Sequence, residues 1–232
     1  MIRPLLISRP IDQSEQFARE VAAGCPGRYE TVISPLLEIR PEVGSVDTSG
    51  AQALLFSSRN AVREFARRSA ERNLPALCVG DATAQEAASH GFSAMSANGD
   101  VSALAALAVQ SYLPDFGHML FFRGAETAGD LTGALMSEGV PAEERILYDQ
   151  FPLYLTKEAK SRIHGQEAVA VVFSPRSANI LSDEVRGLNT EKLKILAISK
   201  NAAVPFANVN LDKIYVSAMP NTQAILKALK TI

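Results

Sequence analysis

The feature of this chain that most constrains its fold is an internal repeat. Ala53-Leu54-Leu55-Phe56-Ser57-Ser58-Arg59 is echoed by Ala170-Val171-Val172-Phe173-Ser174-Pro175-Arg176. Upstream of the two copies stand Leu5-Leu6-Ile7-Ser8-Arg9-Pro10 and Met119-Leu120-Phe121-Phe122-Arg123-Gly124. Downstream stand Leu77-Cys78-Val79-Gly80-Asp81-Ala82-Thr83 and Leu196-Ala197-Ile198-Ser199-Lys200-Asn201-Ala202. Each phrase is a short apolar run that breaks into a polar turn, the pattern of a buried parallel strand handing over to a helix. Three such phrases in the same order, twice, imply a duplicated α/β unit. Two such units are expected to form a cleft, where small ligands bind.

The alternation continues along the chain. Strands are predicted at residues 5–8, 31–35, 54–56, 77–79, 93–96, 119–122, 144–148, 169–173, 195–198 and 213–216. Helices are predicted at 12–23, 58–71, 82–90, 101–112, 129–138, 177–185, 200–206 and 222–229. The expected architecture is two doubly wound parallel-sheet domains. Read from the repeat alone, the seam between halves falls at Pro114-Asp115-Phe116-Gly117.

At 232 residues and 47% hydrophobic, the chain is large enough for two cores. A formal charge of −2, with no basic run, argues against a nucleic-acid binder. Cys25 and Cys78 are too few and too far apart for a disulfide framework. The longest apolar stretch, 103–109, is too short to span a bilayer. The opening residues lack the length and cleavage site of a secretion signal, so a cytoplasmic protein is expected.

In open parallel sheets, ligands bind beyond the carboxyl ends of the strands. The turns there are Ser8-Arg9, Ser57-Ser58-Arg59, the stretch from Gly80 to Thr83, Arg123-Gly124, and the stretch from Ser174 to Ser177. Hydroxyls, guanidinium groups and unpaired helix-start amides together favour an anion. Any single such loop reads first as a helix cap, with Ser58 and Ser177 as the capping residues, and it is the gathering of four or five of them on one edge that favours the anion. Tyr148, at the end of a predicted strand, either packs against the following segment with its hydroxyl in water or donates a proton in the cleft. Walker and dinucleotide glycine motifs and a nucleophile elbow are absent, and His90, His118 and His164 have no metal-ligand spacing, so no metal site is predicted.

Taken together, the phrases around Leu5–Pro10, Ile33–Ile39, Phe56–Val62, Val79–Ala84, Phe121–Gly124, Ile146–Gln150, Val172–Ala178 and Pro220–Leu226 resemble the uroporphyrinogen-III synthase family. That resemblance implies two α/β domains with exchanged first βα units. Residues 1–35 would pack with 153–232, and 36–152 would form the other domain, with linker strands near 36–41 and 149–154. It implies a lyase of tetrapyrrole biosynthesis that closes hydroxymethylbilane to uroporphyrinogen III, losing water and inverting the last pyrrole ring. No cofactor, no nucleic-acid or membrane partner, and a monomer are expected.

The resemblance makes Tyr148 the residue assisting departure of the hydroxyl. It places Thr83, Ser57, Ser58, Arg59, Ser174, Ser177 and Thr222 on the substrate side. Arg9, Arg123, Gly124 and Arg176 are further candidates for substrate contact. Lys200 stands in a loop where the family shows a glycine and threonines, and it is expected to offer a charge instead. The competing expectation is a two-domain protein that binds a small anion without chemistry.

Overall fold

The computed structural model describes residues 2–126 and 129–232. Among the described residues, eleven strands form two sheets, and the chain divides into two compact units, Met1–Glu38 with Phe151–Ile232, and Ile39–Gln150.

The first unit holds β1 (Arg3–Ile7), β2 (Tyr29–Ile33), β9 (Ala168–Val172), β10 (Leu193–Ala197) and β11 (Lys213–Val216), in the order β11-β10-β9-β1-β2. All its pairings are parallel. Strand β9 is buried throughout, and its alternate residues serve opposite faces. Ala168, Ala170 and Val172 pack on a cluster that includes Ala159 and Ile163 of α6 (Lys157–Ile163) and Leu181 of α7 (Pro175–Glu184). Val169 and Val171 meet Phe17 and Val21 of α1 (Ile11–Gly24) and Ile225 and Leu229 of α9 (Thr222–Leu229). The remaining helix, α8, is a single turn at Lys200–Ala203 followed by a 3-10 turn.

The second unit holds β3 (Leu37–Pro41), β4 (Ala51–Phe56), β5 (Ala76–Cys78), β6 (Ala94–Ser96), β7 (His118–Gly124) and β8 (Ala142–Pro152). Their order is β3-β8-β7-β4-β5-β6. The unit boundaries fall inside β3 and β8. One face of β4 and β7 carries an aromatic core: Phe56 and Phe122 stack at 5.7 Å, and Phe65 of α2 (Arg59–Arg68) lies 4.7 Å from Phe122. Ala87 of α3 (Asp81–Ser89) closes that face. The other face is covered by Leu104 of α4 (Val101–Ser111) and by Leu131 and Leu135 of α5 (Leu131–Ser137).

Three expectations change. The seam predicted at Pro114–Gly117 is a 3-10 turn inside the second unit, leading straight into β7 beside β4. Helix α6 was not expected at all. A separate linker strand after Tyr148 is instead the continuation of one 11-residue strand, β8.

Candidate functional site

The parallel strands set the site by ending together. At the carboxyl edge of the second unit, a pocket of about 320 Å³ is lined by Ser57, Ser58, Val79, Asp100, Val101, Gly124, Glu126 and Tyr148. Ser57 and Ser58 follow β4, Val79 follows β5, Gly124 and Glu126 belong to the end of β7 and its exit, and Asp100 caps α4.

Tyr148 reaches the pocket through an irregularity. Arg123 pairs with Ile146, but the next residue, Gly124, pairs with Tyr148, so β8 inserts one extra residue. In a regular strand, Leu147 and Tyr148 would face opposite sides. The bulge turns both onto the face of the phenylalanine core, where both are buried. Only 4% of Tyr148 is exposed, and its hydroxyl lies 2.9 Å from Ser58 Oγ. This overturns the reading of a phenol left in water.

Gly124 is the floor that permits this placement. A Cβ at Gly124 would stand 2.7 Å from Tyr148 Cζ and 2.8 Å from Cε2. Its candidacy as a ligand contact therefore has a packing basis: the phenol occupies the space a side chain would need.

Ser58 works twice, because its Oγ accepts the Ala61 N–H at 3.1 Å and caps α2 while it bonds to Tyr148. The second copy of the repeat differs by one residue. Pro175 stands where Ser58 would, and proline suits the first position of a helix, so α7 starts one residue earlier. The cap of α7 is therefore Ser174, which accepts the Ser177 N–H at 3.1 Å. Ser177, expected as a cap, lies within the helix, with its hydroxyl 2.7 Å from that of Ser174.

Arg123 flanks the pocket but is committed elsewhere. It grips Glu144 with two nitrogens, at 3.0 and 2.5 Å, and donates to the carbonyls of Gly124 and Ala125. Hydrogen bonding from Arg123 holds the Glu144 carboxyl below the usual range, against a smaller opposing effect of burial. The guanidinium braces the loop that carries Gly124. Arg59 opens α2 and Thr83 sits in the first turn of α3, 6% exposed; neither lines the pocket.

The other candidates lie on the first unit, along the carboxyl edge of its sheet. Arg9 donates twice to Gln13 Oε1 and stacks over Phe173 with its guanidinium carbon 4.2 Å from the ring centre. Arg176 is in the first turn of α7. Lys200 is exposed as the first residue of α8, behind the cap Ser199. Thr222 opens α9, whose cap is Asn221.

Asp100, Val79, Val101 and Glu126 were missed by the sequence reading. Asp100 was findable, because an aspartate directly before a predicted helix is a capping signal. Its Oδ1 accepts the N–H groups of Ser102 at 2.9 Å and Ala103 at 3.1 Å. Among the described residues, no group of three His, Cys, Asp or Glu is placed to hold a metal ion.

Comparison with known proteins adds a family to this geometry. The family model described as uroporphyrinogen-III synthase HemD matches residues 26–227. A solved uroporphyrinogen-III synthetase from Helicobacter pylori is similar in fold, with 17% identity and a TM-score of 0.66 over 100% of this chain and 99% of that one. A triple mutant of the Thermus thermophilus uroporphyrinogen III synthase gives 14% identity and a TM-score of 0.53, over 100% and 98% of the two chains. No curated protein sequence matches.

Proposed function

This chain belongs to the uroporphyrinogen-III synthase family, enzymes that cyclise the linear tetrapyrrole hydroxymethylbilane to uroporphyrinogen III, and we propose that Tyr148 is its proton donor. In this reading the protein is a hydro-lyase. The phenol protonates the terminal hydroxyl of the bilane, the C–O bond breaks, and water leaves an azafulvene cation. The substituted carbon of the last pyrrole attacks that cation, and the resulting spirocycle fragments and recloses with the ring inverted.

The observation that supports this role is the buried Tyr148–Ser58 pair at the edge of a pocket. Ser58 sits at the start of α2, where the unpaired amides and the helix dipole favour negative charge. Charge developing on the phenol oxygen is therefore partly relieved through Ser58. The electron-rich pyrrole already drives loss of the hydroxyl, so acid assistance need supply only part of the acceleration. Holding the substituted carbon near the cation contributes more, as positioning does generally.

We further propose that Ser57 and Ser58 contact the substrate within this pocket, whereas Arg123 acts by holding Gly124 in place. Arg9, Arg59, Thr83, Ser174, Arg176, Ser177, Lys200 and Thr222 remain proposed contacts for the substrate carboxylates along the strand edges. A cytoplasmic monomer is the proposed working form. Its two cysteines are buried, with the Cys78 thiol pushed up to about 12 by burial, which suits inert packing rather than redox work. No helix among the described residues is long and apolar enough to cross a membrane.

The test is to supply freshly generated hydroxymethylbilane, oxidise the products, and separate the porphyrin isomers. The type III isomer should dominate. A protein that only binds an anion would leave the distribution of the uncatalysed reaction unchanged.

A further inference from the structure

We infer that the Tyr148 pocket takes the reacting, cationic end of the bilane rather than one of its carboxylates, and that Asp100 holds the pyrrole N–H there. The inference rests on the synthase reading above. A substrate with eight carboxylates would lead one to expect a basic pocket. The ionisable side chains that line this one with Tyr148 are instead Asp100 and Glu126, and no Lys or Arg of the described residues lines it. Arg123, the nearest arginine along the chain to Gly124, is engaged by Glu144 and two backbone carbonyls. A substrate carboxylate entering here would meet like charge. A pyrrole N–H, or the positive charge that forms when water leaves, would meet acceptors.

Asp100 is built for that part. Its Oδ1 is fixed by the two amides at the start of α4, which orients the carboxylate. Its Oδ2 takes no hydrogen bond from the described residues. In the step assigned to it, the Tyr148 phenol gives its proton to the departing hydroxyl and the C–O bond breaks. The nitrogen electron pair of the same pyrrole moves into the ring to form the exocyclic C=C bond, leaving positive charge on N–H. Oδ2 accepts that N–H and stabilises the charge until the new C–C bond quenches it. The ring proton lost on final rearomatisation returns to the phenolate, so water is the sole by-product.

The test uses Asp100→Asn and Asp100→Ser in the full chain. Both side chains still cap a helix, so α4 is retained while the charge is removed. Turnover should fall about tenfold or more, less than a fully buried electrostatic partner would cost because Asp100 is exposed. Affinity for uroporphyrinogen III, measured anaerobically by fluorescence, should stay within about twofold or tighten, since a like charge has gone. Turnover unchanged in both variants would overturn the inference. So would affinity falling in step with turnover, because that pattern marks a structural or carboxylate-binding role. A wild-type protein that makes no type III isomer would instead overturn the synthase reading, a result distinct from an active wild type with indifferent variants.

Discussion

Tyr148 is held by its neighbours at three points: the extra residue in β8 that turns it inward, the missing side chain of Gly124 beneath it, and the hydroxyl of Ser58 beside its own. These supports make separable predictions. Tyr148→Phe keeps the ring against Gly124 and removes only the hydroxyl, so turnover should drop several-fold or more with little change in melting temperature. Steady-state kinetics and a thermal melt decide this, and unchanged turnover would remove the phenol from the chemistry. Gly124→Ala inserts a methyl 2.7 Å from Tyr148 Cζ and should destabilise the protein by about 1–3 kcal/mol, as overpacking does. Turnover should fall with it, because the ring is displaced. Urea unfolding and turnover measured together would show whether the two losses travel as a pair. Gly124 was visible in the sequence as a polar-turn residue, but its reason was not: no local pattern announces that a ring nine-tenths buried, 24 positions later, will need its space.

At the scale of elements, what was legible followed periodicity, and what was missed broke it. The buried strands β4, β7, β9 and β10 announce themselves as apolar runs ending in turns. Helix α6 was overlooked although Thr156, its cap, precedes an Ala159–Ile163 pair at helical spacing. Its two buried apolar positions, set among Lys157, Glu158, Lys160 and Arg162, give too little apolar pattern to stand out from a loop. The bulge in β8 was illegible because Ile146, Leu147 and Tyr148 read as an ordinary buried strand. The one-residue shift between the caps Ser58 and Ser174 was, in principle, written in Pro175. Arg123 and Glu144 join β7 to β8 beside the bulge and carry a pH signature. Glu144 has its pKa lowered in the folded state, chiefly by the Arg123 hydrogen bond. Its stabilising contribution is therefore complete above the ordinary carboxylate range and is lost as the pH falls through the lowered value. Because the Glu144 side chain is 38% exposed, the effect should be below about 1 kcal/mol. Wild type should exceed Glu144→Gln in urea stability at neutral pH, and the gap should shrink as the pH drops below about 4. A gap that stays constant with pH would show that the charge of Glu144 contributes nothing.

At the scale of the whole molecule, the duplication and the compact units do not coincide. Each sheet draws strands from both copies of the repeat: β1 pairs with β9, with Leu5 opposite Val169, and β4 pairs with β7, with Leu54 opposite Leu120. Periodicity cannot reveal this, because it marks where strands lie along the chain and says nothing about which neighbours they choose. Resemblance to a family supplied the exchange. The consequence is testable with fragments. Cutting between Phe116 and Gly117, where the repeat suggests a seam, separates β4 from β7 and β1 from β9, and parts the stacked Phe56 and Phe122. Each half then keeps its turns and helices but loses the central pairing of both sheets. Residues 39–150 alone retain the β8-β7-β4-β5-β6 sheet and both of its aromatic and aliphatic faces. A domain with its own core is able to fold by itself. Fragment 39–150 should therefore melt cooperatively by circular dichroism, whereas 1–116 and 117–232 should each show no cooperative transition until mixed. Cooperative melting of either repeat half alone would mean that strand pairing within one copy suffices, and the exchanged topology would then not be what holds each sheet together.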